Sequence, residues 1–275
     1  SSPGAAPGGV FDGTNIPTNY AVDTTPTTQN NFTCFGDAAA FTPVASNGSE
    51  LDQIFVTSDA NNLYVGLTGN IPSEAGSQNT ILVFIDTGDF SGSQTLFTNG
   101  FINDSGAIAG MSGITFDAGF APSWAVSYWR GGNKHNAVLQ NLPFDAVFLP
   151  LQFSINNADY LGGAFNGFSV DLSNRLGVNG IIGDDPLRQE MLAATAVAGV
   201  QFSISLSELG LSPFSTNVKV VAAIVSADGF VSNQWLPPLN PTVPTPQTNW
   251  RPSIPRHCRW PFRITPEPQP KICAR

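Results

Sequence analysis

Charge is what this sequence has least of. Charged side chains make up 11% of its 275 residues, where an ordinary globular chain carries about a quarter. Hydrophobic residues hold at 41%, so the shortage is not that of a disordered, solvating chain. Asn, Ser, Thr, Gln and Gly must supply the polar surface, as in secreted proteins, sugar-facing proteins and tightly packed assemblies. Histidine is also scarce, with only His135 and His257 present. There is no G-x-S-x-G elbow, so a nucleophile activated by a histidine and a carboxylate has nothing to be built from. His135, inside Gly131–Asn136, reads as a solvated residue of an exposed turn. Asp86, Asp89, Asp117, Asp184 and Asp185 are the available acids for a glycoside-hydrolysing pair. Turn formation accounts for such loop aspartates, and the chain reads as a non-enzyme with no catalytic residues.

Long apolar runs are missing as well. None reaches the roughly 18–20 residues that a membrane-crossing helix needs, so no membrane insertion is expected. With three cysteines and no C-x-x-C pair, a zinc site is not expected. In an oxidising compartment Cys258 and Cys273 would close a short loop. Pairing of Cys34 with one of them is the competing connectivity, and the sequence leaves both open. The opening Ser1-Ser2-Pro3-Gly4 lacks an initiator Met. It reads as a mature product after removal of a signal peptide, placed outside the cell or on its surface.

The few charges are unevenly placed. Of 20 acidic and 11 basic residues, 19 acids and five bases precede position 251, a net of −14. The last 25 positions hold Arg251, Arg256, Arg259, Arg263, Lys271 and Arg275 against Glu267, a net of +5. An acidic body with a sequence pI near 4.4 repels phosphates, so nucleic acid is not an expected partner. The two parts of opposite sign can attract each other, within one molecule or between copies.

Short strand-like segments fill the middle of the chain. Ile54–Val56 and Leu63–Leu67 flank Ser58–Asn62 as a hairpin. Thr80–Asp86 is the near-continuous apolar run of a buried central strand. Trp124–Trp129, Ala146–Leu149, Phe165–Val170 and Lys219–Val225 follow. Val200–Leu206 alternates, which predicts one core face and one wet face. Helix is expected only from Asp184 to about Ala196 and in a single turn at Ser207–Gly210. The fold class is therefore all-β: an antiparallel β-sandwich or jelly roll, with an extended N-terminal arm and a Pro-rich C-terminal tail. The expected divisions are a Gly/Pro/Thr-rich arm over 1–30, the sandwich over 31–236 and an extended basic tail over 237–275. Eleven of the 22 prolines lie between Pro237 and Pro270, which predicts a polyproline-like strap without a core of its own.

Several phrases, in order, resemble a family of secreted bacterial proteins of unsettled function. They are Phe11-Asp12-Gly13, Phe35-Gly36-Asp37, Gly48–Asp52, Leu63-Tyr64-Val65 with Gly69-Asn70, Val83–Asp86, Ile114–Ala121, Val200-Gln201-Phe202 through Leu209-Gly210, and Gly229–Gln234. The resemblance spans roughly residues 10–240. At fold level it is similar to DOMON domains and family 9 carbohydrate-binding modules, which implies sugar, haem or calcium ligands in some members. The residues themselves offer two candidate sites. Calcium seeks several hard oxygens from irregular loops, and Asp86, Asp89, Asp37 and Asp52 are its candidate ligands. Trp124, Tyr128 and Trp235 are the candidates for stacking against an extracellular polysaccharide, although core packing is the commoner fate of β-sheet aromatics.

The charge split, the low overall charge and the two coreless arms predict a secreted structural subunit. Its terminal arms would join other copies of itself into a filament or surface array. A carbohydrate-binding module is the alternative expectation.

Overall fold

The computed structural model describes residues 6–8, 11–20, 26–28, 50–71, 79–88, 92–96, 107–131, 134–142, 153–155, 160–162, 165–171, 193–213, 217–225 and 231–238. Strand is the main regular structure among these residues, with almost no helix. The elements, in chain order, are α1 (Ile16–Asn19), β1 (Thr27–Thr28), β2 (Glu50–Ser58), β3 (Asn62–Asn70), β4 (Thr80–Asp86) and α2 (Ala107–Gly110). After these come β5 (Trp124–Gly131), β6 (Lys134–Asn141), β7 (Phe153–Ile155), β8 (Tyr160–Gly162), β9 (Phe165–Val170), β10 (Gly199–Ser205), β11 (Lys219–Val225) and β12 (Val231–Leu236). Both helices are single turns of four residues.

The strands form two six-stranded sheets, ordered β1-β2-β3-β10-β9-β8 and β12-β11-β4-β5-β6-β7. Every pairing is antiparallel. The predicted hairpin is β2–β3, and Thr80–Asp86 is an interior strand buried at all seven positions. One apolar cluster joins the sheets. It takes Ile54, Val65 and Phe202 from the first and Val83, Tyr128 and Ile224 from the second. Gln234 on β12 ties them by accepting from the Leu51 backbone N–H on β2 at 3.1 Å. The segments 146–149 and 184–192, where a strand and most of a helix are expected, lie outside the described residues.

Each sheet is also covered on its other face. The segment between β4 and β5 contributes Leu96, Ile108, Met111, Ile114, Phe116 and Phe120 to a second cluster. It packs there on Phe84 and Leu82 of β4, Ala125 of β5, Ala223 of β11, and Val231 and Trp235 of β12. The rings of Phe84, Phe116 and Phe120 stack edge to face at centroid separations of 5.0 and 5.2 Å.

The first sheet is covered by the chain's own N-terminal residues. Ile16 and Tyr20 are 0% and 2% exposed and pack with Phe55. They sit over Gly66, where an added Cβ would meet Ile16 Cγ2 at 2.8 Å and the Tyr20 ring at 3.0 Å. Backbone bonds hold the segment, from Ile16 N–H to Val197 O at 2.9 Å and from Gly199 N–H to Gly13 O at 3.0 Å. This cover changes the expectation for β10. Gly199 through Ile204 are all buried, because Phe11–Gly13 lies over the face predicted to be wet. The side chain of Gln201, oriented with its oxygen outward, accepts from the N–H groups of Asp12 and Gly13 at 2.8 Å each. Ser169 donates to Phe11 O at 2.7 Å.

Candidate functional site

The aromatic candidates do not share a surface. Tyr128 is 1% exposed and belongs to the cluster between the sheets, with the half-buried Trp124 packed against that cluster. Trp235, 5% exposed, belongs to the cluster on the opposite face of its sheet, and its indole N–H donates to Ser232 O at 3.0 Å. The expected alternation of 124 and 128 on one face is present, and it turns both rings inward.

The two described candidate calcium ligands, Asp52 and Asp86, lie on different sheets. Asp86 closes β4 in the second sheet, and its carboxylate faces donors. Oδ1 accepts from Gly88 N–H at 2.8 Å and Oδ2 from Ala121 N–H at 3.1 Å, with Lys219 Nζ 3.9 Å from Oδ2. Lys219 also donates to Gly119 O. Asp86 thus pins the cover segment to the sheet it covers. Asp52 is fully buried at a bulge in β2 of the first sheet, close in sequence to the buried Glu50. Asp37 and Asp89 lie outside the described residues, as do Cys34, Cys258, Cys273 and the basic positions Arg251, Arg256, Arg259, Arg263, Lys271 and Arg275. Among the described residues no group of three or more His, Cys, Asp and Glu gathers in one place.

His135 departs from the exposed turn expected of it. It lies on β6, is 5% exposed, and its Nδ1 is 2.7 Å from the Tyr128 hydroxyl with the rings stacked. The pairing of β5 with β6 runs through Arg130↔His135 to Gly131↔Lys134, so the strand already includes Lys134 and His135.

A polar and aromatic shelf stands out where β2 turns into β3. Asp59 Oδ1 accepts from the N–H groups of Asn61 and Asn62 at 2.7 Å each, and Oδ2 accepts from the Tyr64 hydroxyl at 2.7 Å. Asn62 donates from Nδ2 to the Tyr64 oxygen at 3.3 Å and accepts through Oδ1 from Asn166 on β9. Leu206 N–H donates to Asn61 O at 2.7 Å, which joins this tip to the turn Leu206–Gly210. That turn is the expected one closed by glycine, with Gly210 at φ 72°; it presents an exposed Glu208. Tyr64, Ser203 and Gly167 stand in one row across β3, β10 and β9, and the Phe11 ring lies over Gly167.

Partial burial would raise the Asp59 carboxyl. The Asn61 N–H, the Tyr64 hydroxyl and Asn62 outweigh it, leaving Asp59 below its ordinary value and charged at neutral pH. Burial, together with the bond to Asp59 and its charge, raises the Tyr64 phenol, so it remains a donor. The sequence showed these residues only as turn formers. The signal available was Asp59 placed five residues before Tyr64 across an Asn-Asn turn.

Comparison with known proteins returns no matching family model, no matching curated protein and no matching solved structure. Among the described residues no helix is long and apolar enough to cross a membrane.

Proposed function

We propose that this chain is a secreted, non-catalytic structural subunit. In this reading the two sheets form a β-sandwich body, and the basic C-terminal tail joins one copy to the next in an extracellular filament or surface array. The observation that carries the reading is the charge split: a body of net −14 up to residue 250 and a tail of net +5 after it. Opposite charges favour the correct partner and speed encounter more than they add affinity. Of the two arms, the tail is the better candidate for the joining role. Residues 11–20 lie against the chain's own sheet, and β1 pairs with the chain's own β2 through Thr27↔Ile54 and Thr28↔Gln53. The described part of the N-terminal arm is thereby occupied, which in this reading leaves the assembly role to the tail. A contact from the tail of one copy to the body of the next is head-to-tail, and it propagates unless rotation closes a ring.

No observation favours the carbohydrate-binding alternative, since its three aromatic candidates are buried or half-buried on two different faces. Structural calcium remains a proposal for Asp52 beside Glu50, outside the carboxylate of Asp86. The test is electron microscopy with sedimentation velocity on the full-length protein at neutral pH and moderate salt, beside a chain ending at Leu236. Regular filaments or sheets from the full chain, and folded monomers from the shortened one, are expected. A monodisperse full-length protein across the accessible concentration range would refute the reading.

A further inference from the structure

The proposed assembly needs an acceptor on the body, and the shelf at the β2–β3 tip has the chemistry for one. The tail contains Arg251-Pro252-Ser253-Ile254-Pro255-Arg256, a P-x-x-P core with an arginine at each end. Such segments favour the left-handed polyproline conformation, and they dock by laying their prolines on aromatic side chains. Pro252 and Pro255 stand three residues apart, about 9.3 Å in that conformation. Tyr64 and Gly167, the latter lying under the Phe11 ring, stand two strand spacings apart with Ser203 between them, about 9.6 Å. At the tip the charged Asp59 and the exposed Glu208 supply carboxylates for the flanking guanidinium groups. Ala60, Asn61, Asn166, Ser207 and Glu208 are all exposed, so this end of the sheet is open to a ligand.

We infer that residues 251–256 of one copy dock on the Tyr64, Phe11, Asp59 and Glu208 shelf of the next copy. This rests on the assembly reading and names its interface. The choice of a second copy over the chain's own shelf comes from the assembly reading, and length permits it. Gln234 is bonded to the Leu51 N–H, and Leu51 is eight residues along β2 from Asp59, about 27 Å. Residues 237–250 carry prolines at 237, 238, 241, 244 and 246, the composition of a semi-rigid spacer about 43 Å long. Fully extended, a spacer of that length would reach beyond the shelf of its own body, far enough for Arg251 to meet a neighbour.

A charge-exchange experiment on the full-length chain tests this. The body variant is Asn61→Arg with Glu208→Arg, both at exposed positions. The tail variant is Arg251→Glu with Arg256→Glu. Thermal unfolding confirms that each keeps the wild-type fold, and assembly is followed by sedimentation velocity and negative-stain microscopy. Each variant alone is expected to need at least about tenfold more protein to assemble than the wild type. An equimolar mixture is expected to assemble near the wild-type concentration, because each variant supplies the partner charge the other lacks. If the wild type assembles and both variants assemble alike, the shelf is not the acceptor, although the assembly reading stands. If neither variant assembles and the mixture does not recover, the pairing of these two sites is likewise refuted. If the wild type itself does not assemble, the assembly reading fails and the docking inference falls with it.

Discussion

Ile16→Ala separates a bound N-terminal segment from a free one. Ile16 is fully buried between Gly66 and the Tyr20–Phe55 pair, whose ring centroids are 5.7 Å apart. Truncation removes three carbons and leaves a cavity that the flat sheet surface beneath cannot close. Buried Ile→Ala changes cost about 2–5 kcal/mol. For a chain of this size each kcal/mol moves Tm by about 2–4 °C, so a fall of roughly 4–20 °C is expected. The same contact can be strained from the sheet side. Gly66→Ala puts a methyl 2.8 Å from Ile16 Cγ2 and 3.0 Å from Tyr20 Cε2, an overpacking that costs about 1–3 kcal/mol. Urea unfolding measures both variants, and brief proteolysis at native temperature measures release of the segment. If the segment detaches as its own unit, the substitutions raise cleavage near residues 11–20 while the global midpoint holds. No change in either measurement would refute the burial argument and return the N-terminal arm to the list of candidate linkers.

The buried Tyr20 phenol is raised, first by burial and then by the Tyr64 phenolate charge. Stability from it is complete below pH about 10 and declines above, because only the unfolded chain releases that proton easily. Urea midpoints from pH 8 to 11.5 are expected to fall less steeply for Tyr20→Phe than for wild type, and superimposable slopes would refute it. Asp86→Ala removes the acceptor of two backbone N–H groups, a loss of about 1–3 kcal/mol. That loss should be equal with calcium and with chelator; a calcium-dependent difference would make Asp86 a metal ligand instead. Tyr128→Phe leaves His135 Nδ1 without its 2.7 Å hydroxyl partner in the core and is expected to cost about 1–3 kcal/mol. An unchanged urea midpoint would show that the bond contributes nothing net.

Local pattern revealed the strands and failed at what covers them. The apolar run of Thr80–Asp86 and the Asp/Asn turn before Leu63 are signals carried within a few residues, and both elements form as expected. The alternation of Val200–Leu206 also marks a strand correctly. Its polar positions are nevertheless buried, because the residues that cover them, Asp12 and Gly13 at Gln201 among them, come from far upstream in the chain. Ser169 meeting Phe11 and Gln234 meeting Leu51 are contacts of the same long-range kind. The shelf was hidden for this reason too. Asp59, Tyr64, Asn166 and Glu208 come from three separate stretches, and only the β3-β10-β9 order brings them together.

The scarcity of charge has a structural cause in that double covering. A strand buried on one face can carry Lys or Glu on the other, but here the second face is covered as well. Gln201, Ser203, Ser169, Ser127 and Gln140 occupy alternate positions that a conventional sheet would give to charged side chains, and each is no more than 5% exposed. Neutral polar groups tolerate this position because a single hydrogen bond offsets most of their desolvation, as Gln140 Nε2 finds Ser127 Oγ at 3.3 Å. An ionised group there would need a buried counter-charge at a cost of several kcal/mol. The described strands keep few charged side chains, Glu50 and Asp52 on β2, Asp86 on β4 and Lys219 on β11 among them, while Asp59 and Glu208 stand at the tips. If the tail docks as inferred, the carboxylates at this exposed tip are what would set an Arg-flanked segment there rather than on the covered strands.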